Sequence, residues 1–296
     1  MPLERRKRAI LIAGPTASGK SALAMRLAAE RDGVIINVDA MQVYSTLRVL
    51  TARPSTADEM AVPHRLFGFV DPSLRFSTGG WLRAVADVIA SAEPEDRPLI
   101  FTGGTGLYFD ALMGGFADVP PIPDAVVKSI ESEVRALDEA GRCALIAARD
   151  PVLAARLTVP DPQRVTRALS VLAHTGRSLT SFQDVGAEGL LAGYQVERLL
   201  VDPGRDIVRQ RIAYRFNTML QTGAEDEVRA LLSRNLSPDL PAMKAIGVPE
   251  IGAWLRGQSS RTEAIELAII ATHQYAKRQR TWFRNRFSDW TPTTSP

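Results

Sequence analysis

The sequence predicts an α/β protein: a parallel sheet covered by helices on both faces and interrupted by an all-helical insertion. Three observations lead there. The strand-like runs are apolar throughout instead of alternating, as strands buried on both faces must be. They alternate with segments of helical spacing, the pattern of a parallel sheet with crossover helices. Between about Asp118 and Tyr194 the chain carries helical patterns and no convincing strand.

Taken in order, "AILIA" (Ala9–Ala13) reads as a buried strand, followed by a Gly-rich turn and a helix from about Lys20 to Arg31. "GVIINVD" (Gly33–Asp39) and "PLIFTGG" (Pro98–Gly104) read as the second and third strands, with a helix over Gly79–Ala92 between them. "VPPIP" (Val119–Pro123) marks the entry to the insertion, where Val127, Ile130, Val134 and Leu137 form one helical stripe. A second insertion helix covers Asp161–Thr175, stopped by Gly176. "VERLLVD" (Val196–Asp202) is the fourth strand. A long helix starts at Ser260, where "SRTE" forms a capping box with Glu263. Its positions Ile265, Ala268, Ile269, Thr272 and Ala276 face inward, and only the polar tail "TPTTSP" is low in complexity. The expected division is a core in two parts, residues 1–117 and 196–296, around an insertion over 118–195.

Composition narrows the function classes. A chain of 296 residues, 45% hydrophobic and 23% charged, is ordinary for a globular protein. No run is long and apolar enough to span a bilayer, and "RRKR" (Arg5–Arg8) precedes too short an apolar run for a signal peptide. The reading is a cytoplasmic protein with no membrane partner, and nothing demands more than a monomer. The single cysteine, Cys143, excludes an intramolecular disulfide and is read as a small buried or half-buried residue. His64 (in a loop-like segment), His174 and His273 have no ligand spacing, which disfavours a histidine metal site.

The sharpest motif is Gly14-Pro15-Thr16-Ala17-Ser18-Gly19-Lys20-Ser21, which satisfies G-x-x-x-x-G-K-[ST] between a strand and a helix. Such a loop points backbone N–H groups at phosphate oxygens, Lys20 adds a charge, and Ser21 offers a hydroxyl to Mg²⁺. The core is therefore P-loop NTPase-like. The motif reports phosphate and not a reaction. Asp39, at the end of the second strand on the same sheet edge, is open to three readings: a Mg²⁺ carboxylate, a general base or a strand-ending polar residue. "FTGGTGLY" (Phe101–Tyr108) is a second strand-to-helix turn able to present donors to an anion.

Two basic helices raise the question of nucleic acid. On "DPQRVTRALSVL", Gln163, Arg164 and Arg167 lie opposite the packing residues Val165, Leu169 and Leu172, as a solvated face or a phosphate-backbone clamp. "YAKRQRTWFRNRF" interleaves Lys277, Arg278, Arg280, Arg284 and Arg286 with Tyr275, Trp282, Phe283 and Phe287, as an RNA platform or as a packed helix lined by cations. One of Arg209, Arg211 and Arg215 could reach the P-loop ligand.

Together "GPTASGKS", "NVDAMQVY", "TARPS", "PHRL…DP", "GGTGLY", "DPQRVTRAL", "KAIGVPEI" and "YAKRQRTWFRN" resemble, in order, the tRNA dimethylallyltransferases, from Ile10 to about Arg286. The resemblance implies transfer of a dimethylallyl group from its diphosphate to N6 of the adenine 3′-adjacent to the anticodon, position 37, with release of pyrophosphate. The partners it implies are the tRNA anticodon stem-loop and dimethylallyl diphosphate, with Mg²⁺ as cofactor. It makes Asp39 the carboxylate that takes the adenine amine's proton, Thr105 a catalytic contact beside the reacting centre, and Arg215 a pyrophosphate ligand along with the P-loop. It assigns tRNA contacts to Asp39, Ala40, Met41, Gln42 and Thr105; to Gln163, Arg164, Val165, Thr166 and Arg167; to Lys244, Ala245, Ile246 and Gly247; and to Lys277, Arg278, Arg280 and Trp282. Ala40 stands where serine is common, Arg53 where lysine is, and Val248 and Pro249 replace a tyrosine and a basic residue. The readings set beside this one are a small-molecule P-loop kinase, an adenine-nucleotide isopentenyltransferase and a nucleotide-gated RNA-binding protein.

Overall fold

The computed structural model describes residues 7–92, 97–117, 119–157, 160–183 and 188–294. Arg5, the expected boundary at Asp118 and the last residues of "TPTTSP" lie outside these. The chain divides into two compact units, a core built from residues up to 113 and from 190 onward, and a second unit over 114–189. In the core, β1 (Arg8–Ala13) leads through the Gly-rich loop into α1 (Lys20–Arg31), then β2 (Val34–Asn37), α2 (Thr56–Ala61), β3 (His64–Arg65), α3 (Thr78–Ala92), β4 (Leu99–Gly103) and α4 (Gly106–Gly114). The second unit holds α5 (Asp124–Arg135), α6 (Glu139–Arg149), α7 (Pro151–Ala154), α8 (Pro162–Thr175) and α9 (Leu179–Gln183). The chain then returns with β5 (Gln195–Val201), α10 (Arg205–Gln221), α11 (Ala224–Ser233), a 3₁₀ turn at Pro241–Lys244, α12 (Val248–Leu255), α13 (Arg261–Arg286) and β6 (Thr291–Thr293).

The six strands form one sheet, ordered β3-β2-β4-β1-β5-β6, with every neighbouring pair parallel. Because side chains alternate across a strand, each run of apolar residues feeds two cores. Ala9, Leu11 and Ala13 of β1 join Val34, Ile36, Leu99 and Phe101 beneath Trp81, Phe109 and Phe283. Ile10 and Ile12 join Ile35, Ile100 and Val201 against Leu23, Ala24 and Leu27 of α1. The consequence for function is geometric: β1, β2 and β4 are adjacent, so the turns leaving their C-terminal ends share one edge.

Local signals hold where they are chemical. Ser260 caps α13 and exchanges bonds with Glu263, and Gly176 ends α8 with φ 69°. Three expectations change. His64 lies in the short edge strand β3, paired to Ile35, and not in a loop. Thr291–Thr293 of the polar tail forms β6 beside β5, an edge position that needs no apolar signature. Cys143 is exposed on α6, because that helix fully buries only Ile146. Within the second unit, Ile130, Val134, Ile146, Val165 and Leu169 form the core, and Leu137 lies past the end of α5.

Candidate active site

The Gly-rich loop is shaped by its neighbours. A Cβ at Gly14 would lie 2.5 Å from the Val201 carbonyl oxygen on β5, so only glycine fits there. The loop turns through φ 61° at Ala17 and 98° at Gly19 before α1 begins, the left-handed region that costs a glycine least. Helices from the far end of the chain brace it. From α10, Arg211 donates to the Ser18 carbonyl at 3.0 Å, and the Arg215 guanidinium donates to the Thr16 hydroxyl. From α13, Gln279 accepts from Thr16 N–H at 2.8 Å.

The second turn, after β4, lies against β2. A Cβ at Gly103 would lie 2.0 Å from the Val38 carbonyl oxygen. Thr105 N–H donates to that carbonyl at 3.1 Å, and the Thr105 hydroxyl accepts from Ala40 N–H at 3.0 Å. Asp39 is held in an Asx turn, with Oδ1 accepting from Met41 and Gln42 N–H. Asn37 and Trp81 fix the strand end beneath it, since the Trp81 indole donates to the Asn37 carbonyl at 2.9 Å. Gln279, almost fully buried, ties the two turns together: its amide nitrogen donates to the Gly104 carbonyl at 2.9 Å. Tyr275, one turn earlier on α13, hydrogen-bonds with both Thr105 and Gln279.

Electrostatics single out Asp39. Burial pushes the Lys20 ammonium down to about 8, opposed by the Asp39 charge and reinforced by Arg215. Arg215 is lowered by burial and raised by Asp39, and the phenols of Tyr108 and Tyr275 are pushed up by burial and then by Asp39. One carboxylate thus faces two cations and two neutral phenols. That arrangement can grip an anion with Lys20 and Arg215 while Asp39 takes a proton.

The structure therefore brings together the Gly14–Ser21 loop, Arg215, Asp39, Ala40 and Thr105. Gln279 carries no motif that points to the site, and Tyr275 stands in the sequence only as one aromatic of the basic helix; the signal for both is the helical face that they share with Trp282. That face resolves the basic-aromatic helix. Phe283 and Phe287 are core, whereas Trp282 packs its indole on Gly106 and stays 37% exposed. Arg278 lies over the Tyr275 ring, while Arg280 turns away and bonds Asp202 at 2.8 Å.

Several expected RNA contacts have other employment. Val165 is buried in the core of the second unit and Ala245 in that of the first, so neither side chain presents a surface. Gln42 donates its amide to the Thr51 and Ala52 carbonyls. Gly247 N–H is bonded by Glu250, and Lys244 lies 3.5 Å from Asp239. Val248 is a core residue at the start of α12, so the departure there is one of packing. Arg53 donates to the Tyr44 and Ser45 carbonyls. Gln163, Arg164 and Arg167 are exposed on α8.

Comparison with known proteins places the chain in a family. The family described as IPP transferase matches residues 42–286, and that described as isopentenyl transferase matches 7–74. The chain is 50% identical over 281 residues to a tRNA dimethylallyltransferase of Allorhizobium ampelinum, covering 95% of this chain and 92% of that protein. Its fold resembles the crystal structure of a tRNA isopentenylpyrophosphate transferase from Bacillus halodurans at TM-score 0.68 and 29% identity, over 98% of this chain and 90% of that one. A eukaryotic dimethylallyltransferase acting on tRNA shares the fold at TM-score 0.81 and 24% identity, over 98% of this chain and 74% of that one. The chain belongs to the tRNA dimethylallyltransferase, or IPP transferase, family.

Proposed function

We propose that this protein transfers the dimethylallyl group of dimethylallyl diphosphate to N6 of the adenine at position 37 of tRNA, releasing pyrophosphate. The observation that carries the chemistry is the Asp39 carboxylate facing Lys20 and Arg215 beside the Gly-rich loop. The C1–O bond of the donor breaks as the diphosphate leaves, and C1–N6 forms as Asp39 takes the proton of the attacking amine. An allylic diphosphate departs readily once its charge is stabilised, so no protein nucleophile is needed.

The Ser18 hydroxyl is fully buried without a hydrogen-bond partner among the described residues, which suits a phosphate oxygen as its acceptor. Lys20, Arg215 and the loop N–H groups would hold the rest of the diphosphate. Thr105, held between Ala40 N–H and Tyr275, would position the acceptor beside Asp39. Among the described residues no group of three or more His, Cys, Asp or Glu could hold a metal by itself. The donor set fits Mg²⁺ held mainly by substrate oxygens, with the exposed Ser21 hydroxyl as the protein's ligand. When bound, Mg²⁺ would neutralise charge developing on the leaving diphosphate.

For RNA, the exposed Gln163, Arg164 and Arg167 and the Arg278–Trp282 face of α13 are the contacts that chemistry favours. The target adenine must leave its stack to reach Asp39. No helix among the described residues is long and apolar enough to cross a membrane. The test is incubation of the protein with dimethylallyl diphosphate, Mg²⁺ and unmodified tRNA, followed by nucleoside digestion. Isopentenyladenosine is the expected product. Its absence alongside ATP-dependent phosphorylation of a small metabolite would overturn the reading.

A further inference from the structure

The core holds a cavity of about 680 Å³ that the reaction described above does not use. It lies between α10, α13 and the β5–β6 edge, and of the phosphate loop only Pro15 reaches it. Lys20, Asp39, Thr105 and Arg215 are not among its lining residues. Its volume falls within the roughly 300–1,000 Å³ of ordinary small-molecule sites.

The lining is of two kinds. Its apolar part is Leu200, Val208, Ile212, Phe283, Phe287 and Trp290. Around these stand five cations, Arg205, Arg209, Lys277, Arg280 and Arg284, against one acid, Asp202. Arg280 is neutralised by Asp202 at 2.8 Å. The other four have no ion-pair partner among the described residues, so an uncompensated charge of about +4 surrounds an apolar floor.

The aromatic rings narrow the occupant further. Phe287 stacks on Trp290 at 4.3 Å and on Phe283 at 5.5 Å, and Phe109 meets Phe287 and Trp290 edge-on. Phe287 carries a ring on each face, and all three lining rings are at most 3% exposed, so little ring face is offered on which a nucleobase could stack. An RNA segment would find phosphate partners here but no platform. An aliphatic chain bearing a phosphate or diphosphate head satisfies both linings at once, its chain along the half-buried Leu200 and its head among the cations.

We infer that this cavity is a binding site for a small amphiphilic anion, an aliphatic chain with a phosphate-type head, separate from the diphosphate loop. The helical stripe that builds it, His273, Lys277, Arg280 and Arg284, lies on a different face of α13 from Tyr275, Gln279 and Trp282. One helix thus serves two sites.

Octyl phosphate below its micellar concentration is the probe, titrated calorimetrically into the Lys20→Ala protein so that the diphosphate loop is disabled. Saturable binding is expected. Inorganic phosphate and neutral octyl glucoside, each supplying half of the chemistry, should bind at least tenfold more weakly. Arg209→Glu with Arg284→Glu should weaken octyl phosphate at least tenfold, and the same pair changed to alanine should give a smaller loss in the same direction. Circular dichroism checks that both variants fold. Binding that ignores the charge reversals, equal binding of phosphate or octyl glucoside, or displacement of octyl phosphate by unmodified tRNA would each overturn the assignment.

Discussion

Lys20 should make diphosphate binding weaken above pH 8. Burial holds its ammonium at about 8 in the free protein, against 10.5 for an ordinary lysine. A bound diphosphate supplies the negative charge that burial lacks and favours the charged form, so the bound-state value returns toward 10.5 or above. Affinity is then complete below pH 8 and is lost as pH rises through 8, because the free protein must first take up a proton. With values of about 8 free and 10.5 bound, linkage gives about a tenfold loss between pH 7 and pH 9. The assay is calorimetric titration of Mg²⁺-pyrophosphate across that range, with Lys20→Met as the reference. The variant binds more weakly throughout, and its profile carries only the ligand's own ionisation. A difference between the two proteins that stays flat to pH 9 would show that Lys20 keeps its ordinary proton affinity, and the electrostatic account of the site would fail.

Other outcomes follow from the same geometry. Asp39→Asn should lower turnover by roughly 10²–10⁴-fold, the usual weight of a general base, while tRNA affinity is kept; a near-normal rate would remove Asp39 from proton transfer. Gln279→Leu should weaken pyrophosphate by about 10–100-fold, since Thr16 N–H and the Gly104 carbonyl are both left unpaired. Gln279→Glu should recover part of that loss by restoring the acceptor for Thr16; equal losses would mean that the residue only fills space. Gly103→Ala should cost at least ~2 kcal/mol in urea denaturation, because β2 must retreat from the new methyl group. An unchanged midpoint would show that the strands yield freely. Replacing Arg164 and Arg167 by alanine should reduce the slope of log affinity for tRNA against log salt by about 1.5, and an unchanged slope would make that face merely solvated.

The part of this protein that the sequence determined by itself is the part whose physics is local. The loop from Gly14 to Ser21, the Ser260–Glu263 cap and the Gly176 stop are each specified within a few residues, and each stands where it was expected. The fully apolar strands likewise require cover on both faces, which makes the parallel sheet legible without coordinates. What needed the tertiary structure was every pairing across long stretches of chain. Gln279 meets Thr16 across 263 residues, and Arg215 meets it across 199. No helical period states which face of α13 lies over Gly104 and which lies over the cavity, since both faces carry cations and aromatics. The β6 strand shows the same limit, because three polar residues become a strand only when the edge of β5 offers its unpaired backbone. Local chemistry therefore wrote the Gly-rich loop into the sequence. Only the fold, by setting Asp39 opposite Lys20 and Arg215, decided which charged groups stand beside it.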